Sequence, residues 1–275
     1  MQLSHRNTLS SVRQARTSSL RASPVAGPRL HARRAARLRA CRAAAPDKED
    51  AAITGFVFSP FDEVEPQLAF VDKLLSRGDV MTSVARTEYS SRLEAAVNEQ
   101  INVEYTVSYI YHAMAAFFNR DNVGLPGFAA YFKESSDDER HHANLLMAQQ
   151  NRRGGRVYLA PISRPVSEFF DESKGDALNG VEVGLALEKL NFLKLRQLHA
   201  IASEEGDAEY TQFIEDNLLR PQSREVKAAA DLFSQVRRSG PGHGVVHIDL
   251  ELQRKYGYGL DGVGGGGNGN GNGMA

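Results

Sequence analysis

Four long stretches of the chain carry apolar side chains at the spacing of an α-helix, and an acidic residue falls on the apolar face of each stretch. Residues that recur at i, i+4, i+7 and i+11 lie on one face of a helix. The four faces consist of Val97, Ile101, Glu104, Ser108, Tyr111 and Ala115; Phe128, Phe132, Ser135, Glu139, His142 and Leu146; Val181, Leu185, Glu188, Phe192 and Leu195; and Glu225, Ala229, Leu232 and Val236. Four such helices, joined by turns and one long connection, predict an all-α four-helix bundle.

The acids on these faces indicate a bound cation. Several unpaired carboxylates in one core would each cost several kcal/mol, and the nearby Arg140 and Lys189 fall off the apolar faces. Carboxylate oxygens combined with one imidazole suit iron, manganese or zinc better than a metal that prefers thiolates. The most specific element is Glu139-x-x-His142, because residues at i and i+3 of a helix point to the same side.

The acids are not distributed symmetrically over the four helices. Known di-iron bundles take one Glu from each of two helices and an E-x-x-H pair from each of the other two. This chain has Glu104, Glu188 and one such pair, while the fourth helix carries Glu225 and no second histidine. The pattern predicts one iron held by carboxylates and His142, and a second held by carboxylates only. Weak ligation of the second metal favours a site through which iron passes.

Charge separates the ends of the chain from its body. Ten of the 33 basic residues lie in residues 1–46, which contain no acid, so the rest of the chain carries a net charge of −11. An acidic body argues against a nucleic-acid partner. The sequence contains no run of 18 apolar residues, so it predicts no membrane-spanning helix. The single cysteine, Cys41, excludes an intrachain disulfide.

The Arg-, Ser- and Ala-rich composition of residues 1–45 is typical of an organelle transit peptide, with a retained basic arm as the alternative. Composition alone leaves mitochondrion and plastid open. Glycine and asparagine dominate the other end, which predicts a flexible tail over residues 257–275.

Several motifs resemble one family, the ferritins. INVEYTVSYIYHAM, ESSDDERHHANLLM and LALEKLNFLKL resemble ferritin helices A, B and C, and NRRGGRVYL resembles the turn after helix B. GHGVVHIDLEL is similar to the short fifth helix of plant ferritins, and ITGFVFSPFDEVEPQL resembles their extension peptide. The resemblance implies a ferritin-like bundle at 83–256 with a long B–C crossover, an extension peptide at 46–82, and a plastid location.

The family oxidises Fe(II) with oxygen at a di-iron centre in each subunit and stores ferric mineral in a shell of 24 subunits. The resemblance therefore implies iron as substrate, related ferritin subunits as partners and ferroxidase activity. The implied metal ligands are Glu104, Glu139, His142 and Glu188, with Glu182 as a further helix C acid near the second iron and Tyr111 beside the centre.

Helix D departs from the family pattern in two places. The resemblance implies a metal ligand in helix D, at a position where the family has a glutamine. Counting forward from Phe213 places Gln222 there, whereas counting back from Val226 places Glu225 there, so the two are alternatives for one ligand position. An insertion around Pro221 would explain the conflict and favours Glu225, because proline interrupts or restarts a helix. At the threefold channel, where the family often has two acidic rings, this chain has Gln212 and Glu215, so one ring is lost.

Three alternatives remain open at this stage. A structural subunit with a defective centre would not need Glu104, Glu139, His142 and Glu188. A soluble di-iron oxidase or peroxidase usually has a second E-x-x-H pair, and a purely structural bundle leaves the acids in its core unexplained. We therefore expect a ferritin subunit that both oxidises and stores iron.

Overall fold

The computed structural model describes residues 64–77, 81–257 and 260, and every regular element among them is helical. The helices are α1 (Glu65–Arg77), α2 (Ser91–Phe118), α3 (Pro126–Arg152), α4 (Asp176–Glu204), α5 (Ala208–Ile214), α6 (Arg220–Ser239) and α7 (His243–Tyr256), with a π-helical turn at Glu215–Leu219. The predicted all-α class is confirmed. In this described part of the chain, no helix is long and apolar enough to cross a bilayer.

The chain divides into two compact units, Met1–Thr82 and Ser83–Ala275. In the first unit the described residues form α1, and in the second they form the bundle. The predicted transit peptide at 1–45 lies outside the described residues. So do most of the extension peptide at 46–82 and most of the tail at 257–275.

Side-chain contacts between helix ends fix the direction of the four long helices. Tyr89, just before α2, hydrogen-bonds to Gln150 at the end of α3, and Arg92 at the start of α2 pairs with Glu204 at the end of α4. Helices α3 and α4 are therefore both antiparallel to α2, and a long crossover at 153–175 joins them. Helix α5 begins beside the end of α3, where Arg153 pairs with Asp207 at 2.7 Å.

Amides of α2 hold the crossover against the bundle. Asn98 accepts from the Tyr158 N–H at 2.8 Å and donates to the Arg156 carbonyl at 2.9 Å. Asn102 donates to the Ala160 carbonyl at 3.2 Å. Because these bonds satisfy backbone groups that have no helical partner, a loop of this length can take one conformation.

Helix α5, the π turn and α6 form one continuous helix, so the predicted interruption at Pro221 is wrong. The backbone N–H of Arg220 donates to the carbonyl of Glu215, five residues earlier, which is the π pattern. Proline lacks an N–H and its ring crowds the carbonyl four residues earlier. The wider π turn comes directly before α6 and its Pro221, and the helix continues through this residue without a restart.

Helix α7 closes one end of the bundle by capping α3. Residue Leu125, before α3, makes no side-chain cap, and Asp249 of α7 instead accepts from the N–H groups of Gly127 at 2.7 Å and Phe128 at 3.0 Å. A Cβ at Gly127 would lie 2.0 Å from the Asp249 carbonyl oxygen, so this approach requires glycine.

The core has two apolar halves with a polar layer between them. One half is packed around Tyr111, Phe118 and Phe132, and the other around Ile101 and Leu195. The first predicted face is buried throughout. On the other faces four positions are wrong: Ser136 is buried instead of Ser135, Gly184 instead of Leu185, Asn191 instead of Phe192, and Gln222 is fully buried while Glu225 lies at the edge.

Candidate metal centre

The polar layer brings together acids from three helices and one histidine. Glu104 of α2, Glu139 of α3 and Glu188 of α4 are 0%, 2% and 7% exposed, and His142 of α3 is 7% exposed. One ligand atom each of Glu104, Glu139 and His142 lies within 4.8 Å of the others, the spacing of a group that could hold a metal ion. Three carboxylates and an imidazole in one enclosed site form a donor set that suits iron.

Tyr111 and Gln222 hold the third carboxylate. The Tyr111 hydroxyl donates to Glu188 Oε1 at 2.5 Å, and Gln222 Nε2 donates to Glu188 Oε2 at 2.5 Å. Both side chains are buried, with exposures of 1% for Tyr111 and 0% for Gln222. Tyr111 therefore lies beside the buried carboxylates of the polar layer.

Gln222 and Glu225, the two candidates for a metal ligand on α6, both face the site. Gln222 contacts Glu188 from inside the core, whereas Glu225, three residues later, lies at the edge with its side chain 33% exposed. Glu225 Oε1 is 3.9 Å from His142 Nε2. Because residues at i and i+3 share a helix face, the two side chains approach different parts of the same site and do not compete for one position.

Glu182 is not part of this cluster. Its side chain is 46% exposed, and it accepts from Lys174 Nζ at 2.5 Å. Residue 182 precedes Glu188 by six positions, about one and two-thirds turns of α-helix, so it points to another side of α4. In this conformation Glu182 contacts Lys174 and none of the buried carboxylates.

Burial favours the neutral form of these acids. It raises the pKa of Glu104 well above its ordinary value, and the neighbouring Glu139 raises it further. Burial likewise raises the pKa of Glu139 to about 8, although a hydrogen bond with Glu104 opposes this change. The pKa of Glu188 is also raised by burial, against the hydrogen bonds from Tyr111 and Gln222. At the edge, burial raises the pKa of Glu225 to about 7, with the charge of His142 opposing it. A cation would displace the protons that the site holds in its absence.

Two buried amides of the site escaped prediction. Gln100 of α2 is 3% exposed and Asn191 of α4 is 0% exposed, and both hydrogen-bond to Glu104. Each stands one helical turn from a predicted ligand, four residues before Glu104 and three after Glu188. That spacing was the available signal, but it suits packing residues equally well.

The two positions predicted at the channel are exposed and lie on the α5–π segment. Glu215 Oε1 is 2.7 Å from His199 Nε2, and Gln212 Nε2 donates to Asp216 Oδ2 at 2.5 Å. Arg220 also pairs with Asp216, at 3.1 Å. Neither Gln212 nor Glu215 contacts the carboxylates of the polar layer.

Comparisons with known proteins agree with this arrangement. Residues 94–239 match the ferritin-like domain family. The chain is 49% identical to the chloroplastic ferritin-2 of Vigna unguiculata over 76% of this chain and 81% of that protein. It is 51% identical to the chloroplastic ferritin-3 of Arabidopsis thaliana over 72% of this chain and 75% of that one.

A solved structure gives the same answer for the fold. The ferritin of the multicellular green alga Ulva pertusa is 52% identical, with a TM-score of 0.68, over 71% of this chain and 98% of that one. The matched family segment contains Glu104, Glu139, His142, Glu188 and Gln222. The chain belongs to the ferritin family.

Proposed function

We propose that the chain is an iron-storage subunit of a plastid ferritin, and that it oxidises Fe(II) with oxygen at the buried site between α2, α3, α4 and α6. The observation that carries the proposal is the convergence of Glu104, Glu139 and His142 within 4.8 Å in the core of a ferritin bundle. The relatives' designation as chloroplastic supports the plastid location.

The proposed reaction uses iron as substrate. Each of two Fe(II) ions would give one electron to O₂, which with two protons becomes hydrogen peroxide. Anionic carboxylates favour the oxidised iron, because Fe(III) carries one more positive charge. Glu104, Glu139 and His142 would bind one iron, with Glu139 between the two metal positions and Glu188 on the second. Tyr111 and Gln222 orient Glu188, and Glu225 extends the acidic side chains toward the surface.

The uneven distribution of the metal-binding groups, with one histidine for two metal positions, favours an iron-storage protein over an enzyme that keeps a permanent di-iron cofactor. Within the described residues, His142 is the one histidine in contact with the buried carboxylates. The second metal position therefore has oxygen donors and no imidazole. Weaker binding there would let the oxidised iron leave for a mineral, as expected from the sequence.

Iron storage also needs partner subunits. Large apolar side chains are exposed on the crossover, with Tyr158, Leu159, Val166 and Phe170 between 60% and 68% exposed. Tyr158 lies beside Asn98 near the start of α2, whereas Ser167 lies beside Arg120 just after its end, so apolar side chains are exposed along the full length of the crossover. We propose that related ferritin subunits cover it in a shell of 24.

The proposal also assigns roles to the threefold channel of the shell and to the two ends of the chain. In a threefold channel each side chain occurs three times, so Glu215 would supply one acidic ring for entering Fe(II), whereas Gln212 supplies none. Residues 1–45 would act as the transit peptide, 46–82 as the extension peptide and 257–275 as a flexible tail.

A paired replacement tests the centre. Glu139→Gln with His142→Gln should abolish fast Fe(II) oxidation and leave the assembled protein intact, because both changes remove metal ligands without adding a buried charge. The control is Glu134→Gln with His141→Gln, which alters the same residue types at exposed positions of the same helix. Rapid-mixing oxidation rates with size-exclusion chromatography report both properties. A wild-type rate in the first variant would refute the assignment.

A further inference from the structure

Three buried side-chain amides form a directed chain of hydrogen bonds across the metal centre. Gln100 of α2 donates from Nε2 to Asn191 Oδ1 of α4 at 2.9 Å. Asn191 donates from Nδ2 to Gln222 Oε1 of α6 at 3.3 Å, and Gln222 donates to Glu188 at 2.5 Å. The three amides are at most 3% exposed, so this chain lies inside the core.

The same amides reach all three carboxylates. Both oxygens of Glu104 accept an amide N–H at 2.7 Å, Oε1 from Gln100 and Oε2 from Asn191. Asn191 Nδ2 also lies 3.1 Å from Glu139 Oε2. Asn191 is therefore the one member of the chain that contacts both Glu104 and Glu139, two acids that would otherwise repel each other when ionised.

Gln100 fixes which end of the Asn191 amide faces the acids. Gln100 Nε2 donates both to Glu104 Oε1 and to Asn191 Oδ1, which uses both of its hydrogens. Rotating the Asn191 amide by half a turn would bring its oxygen against Glu104 and Glu139 and its NH₂ group against that of Gln100. Both new contacts are repulsive when the carboxylates are ionised, which is the form that binds a metal. In that form Asn191 faces the carboxylates as a donor and does not offer its oxygen to a metal.

We propose that Asn191 is a positioning residue of the iron site, which holds Glu104 and Glu139 in the orientation that binds metal, and that Gln100 sets its direction. This inference rests on the proposed function. Ligand carboxylates commonly depend on such outer hydrogen bonds for their orientation. Each carboxylate has about four acceptor positions, so an amide and a metal can share it without competing.

Removing the donor should weaken the metal without removing a ligand. Asn191→Leu keeps the size of the side chain and deletes both N–H groups. We expect Co(II), a redox-stable probe with a visible spectrum that reports its coordination, to bind about 10- to 100-fold more weakly. In steady-state oxidation the KM for Fe(II) should rise by a similar factor, whereas kcat should change little, because Glu104, Glu139 and His142 all remain.

The chain offers a matched control. Gln150 is 0% exposed, and its amide hydrogen-bonds to Tyr89 and to the carbonyls of Glu94 and Arg156, away from the metal site. Gln150→Met removes an equally buried amide, so it reports the effect of lost core polarity alone. Its Co(II) affinity should equal that of the wild type.

A second variant covers the case in which Asn191→Leu does not fold. Gln100→Met leaves Asn191 in place but removes the donor that fixes its direction and one hydrogen bond to Glu104. We expect the same direction of change in Co(II) affinity. Wild-type affinity in the folded Asn191→Leu protein, or in Gln100→Met if that is the folded one, overturns the inference, as does tighter binding. Neither result touches the proposed function, which fails only if the Glu139/His142 double variant oxidises Fe(II) at the wild-type rate.

Discussion

Replacing Glu139 with glutamine should stabilise the metal-free protein although it removes a proposed metal ligand. The increase in unfolding free energy should depend on pH. The side chain is 2% exposed, and burial raises its pKa to about 8 from an ordinary value of 4.5. Below pH 4.5 the carboxyl is neutral in both folded and unfolded chains, so the substitution changes little. Between pH 4.5 and 8 the folded protein holds a proton that the unfolded chain has lost, so wild-type stability falls as the pH rises. Glutamine does not titrate and escapes that loss.

The size of the effect follows from the change in pKa. At about 1.4 kcal/mol for each tenfold change in proton affinity, the difference in unfolding free energy grows with pH and reaches at most about 5 kcal/mol above pH 8. Denaturant titrations of both proteins in chelator, at one protein concentration and at several pH values from 4 to about 9, measure it. A constant difference across this range would refute the reasoning, because it would mean that Glu139 titrates normally in the folded state.

Three further predictions concern other parts of the chain. Glu215→Gln should slow Fe(II) oxidation at low iron and leave the rate at saturating iron unchanged, as stopped-flow measurements at both concentrations will show. Asp249→Ala should cost about 1–2 kcal/mol of unfolding free energy, because helix α3 loses its cap, whereas Glu251→Ala on the exposed side of the same helix should cost much less. Gln222→Ala and Glu225→Ala should each weaken iron binding in an anaerobic Fe(II) titration, and a loss confined to one variant would assign the site to that residue alone.

The buried acids and the histidine of the polar layer could be predicted because helical spacing places them. Glu104, Glu139, His142 and Glu188 interrupt regular apolar faces, and all four are buried in the polar layer. Spacing could not find Asn191. A turn of 3.6 residues allows either i+3 or i+4 to continue a face, and Phe192 was the more apolar choice after Glu188.

Other differences between expectation and structure came from features that spacing cannot show. The family resemblance alone suggested Glu182 as a ligand, and in the structure its side chain lies away from the cluster and pairs with Lys174. The choice between Gln222 and Glu225 assumed that Pro221 restarts the helix. The structure instead has a π turn before it, and a π turn has no sequence signature comparable to proline or glycine.

The π turn allows one helix to serve two environments. Residues seven apart in a regular α-helix return to nearly the same face, so Glu215 and Gln222 would point the same way. In the structure the Glu215 side chain is 47% exposed, whereas Gln222 is fully buried. One extra residue in the helix changes the facing direction by about 100°, roughly a quarter of a rotation. A regular α-helix of the same length would bring Glu215 and Gln222 to within about 20° of one direction, so the outward-facing acid and the inward-facing amide could not both keep their partners. Deleting a single residue between them would leave them six positions apart, about 120° around a regular α-helix, so a helix one residue shorter could keep both partners without the π turn.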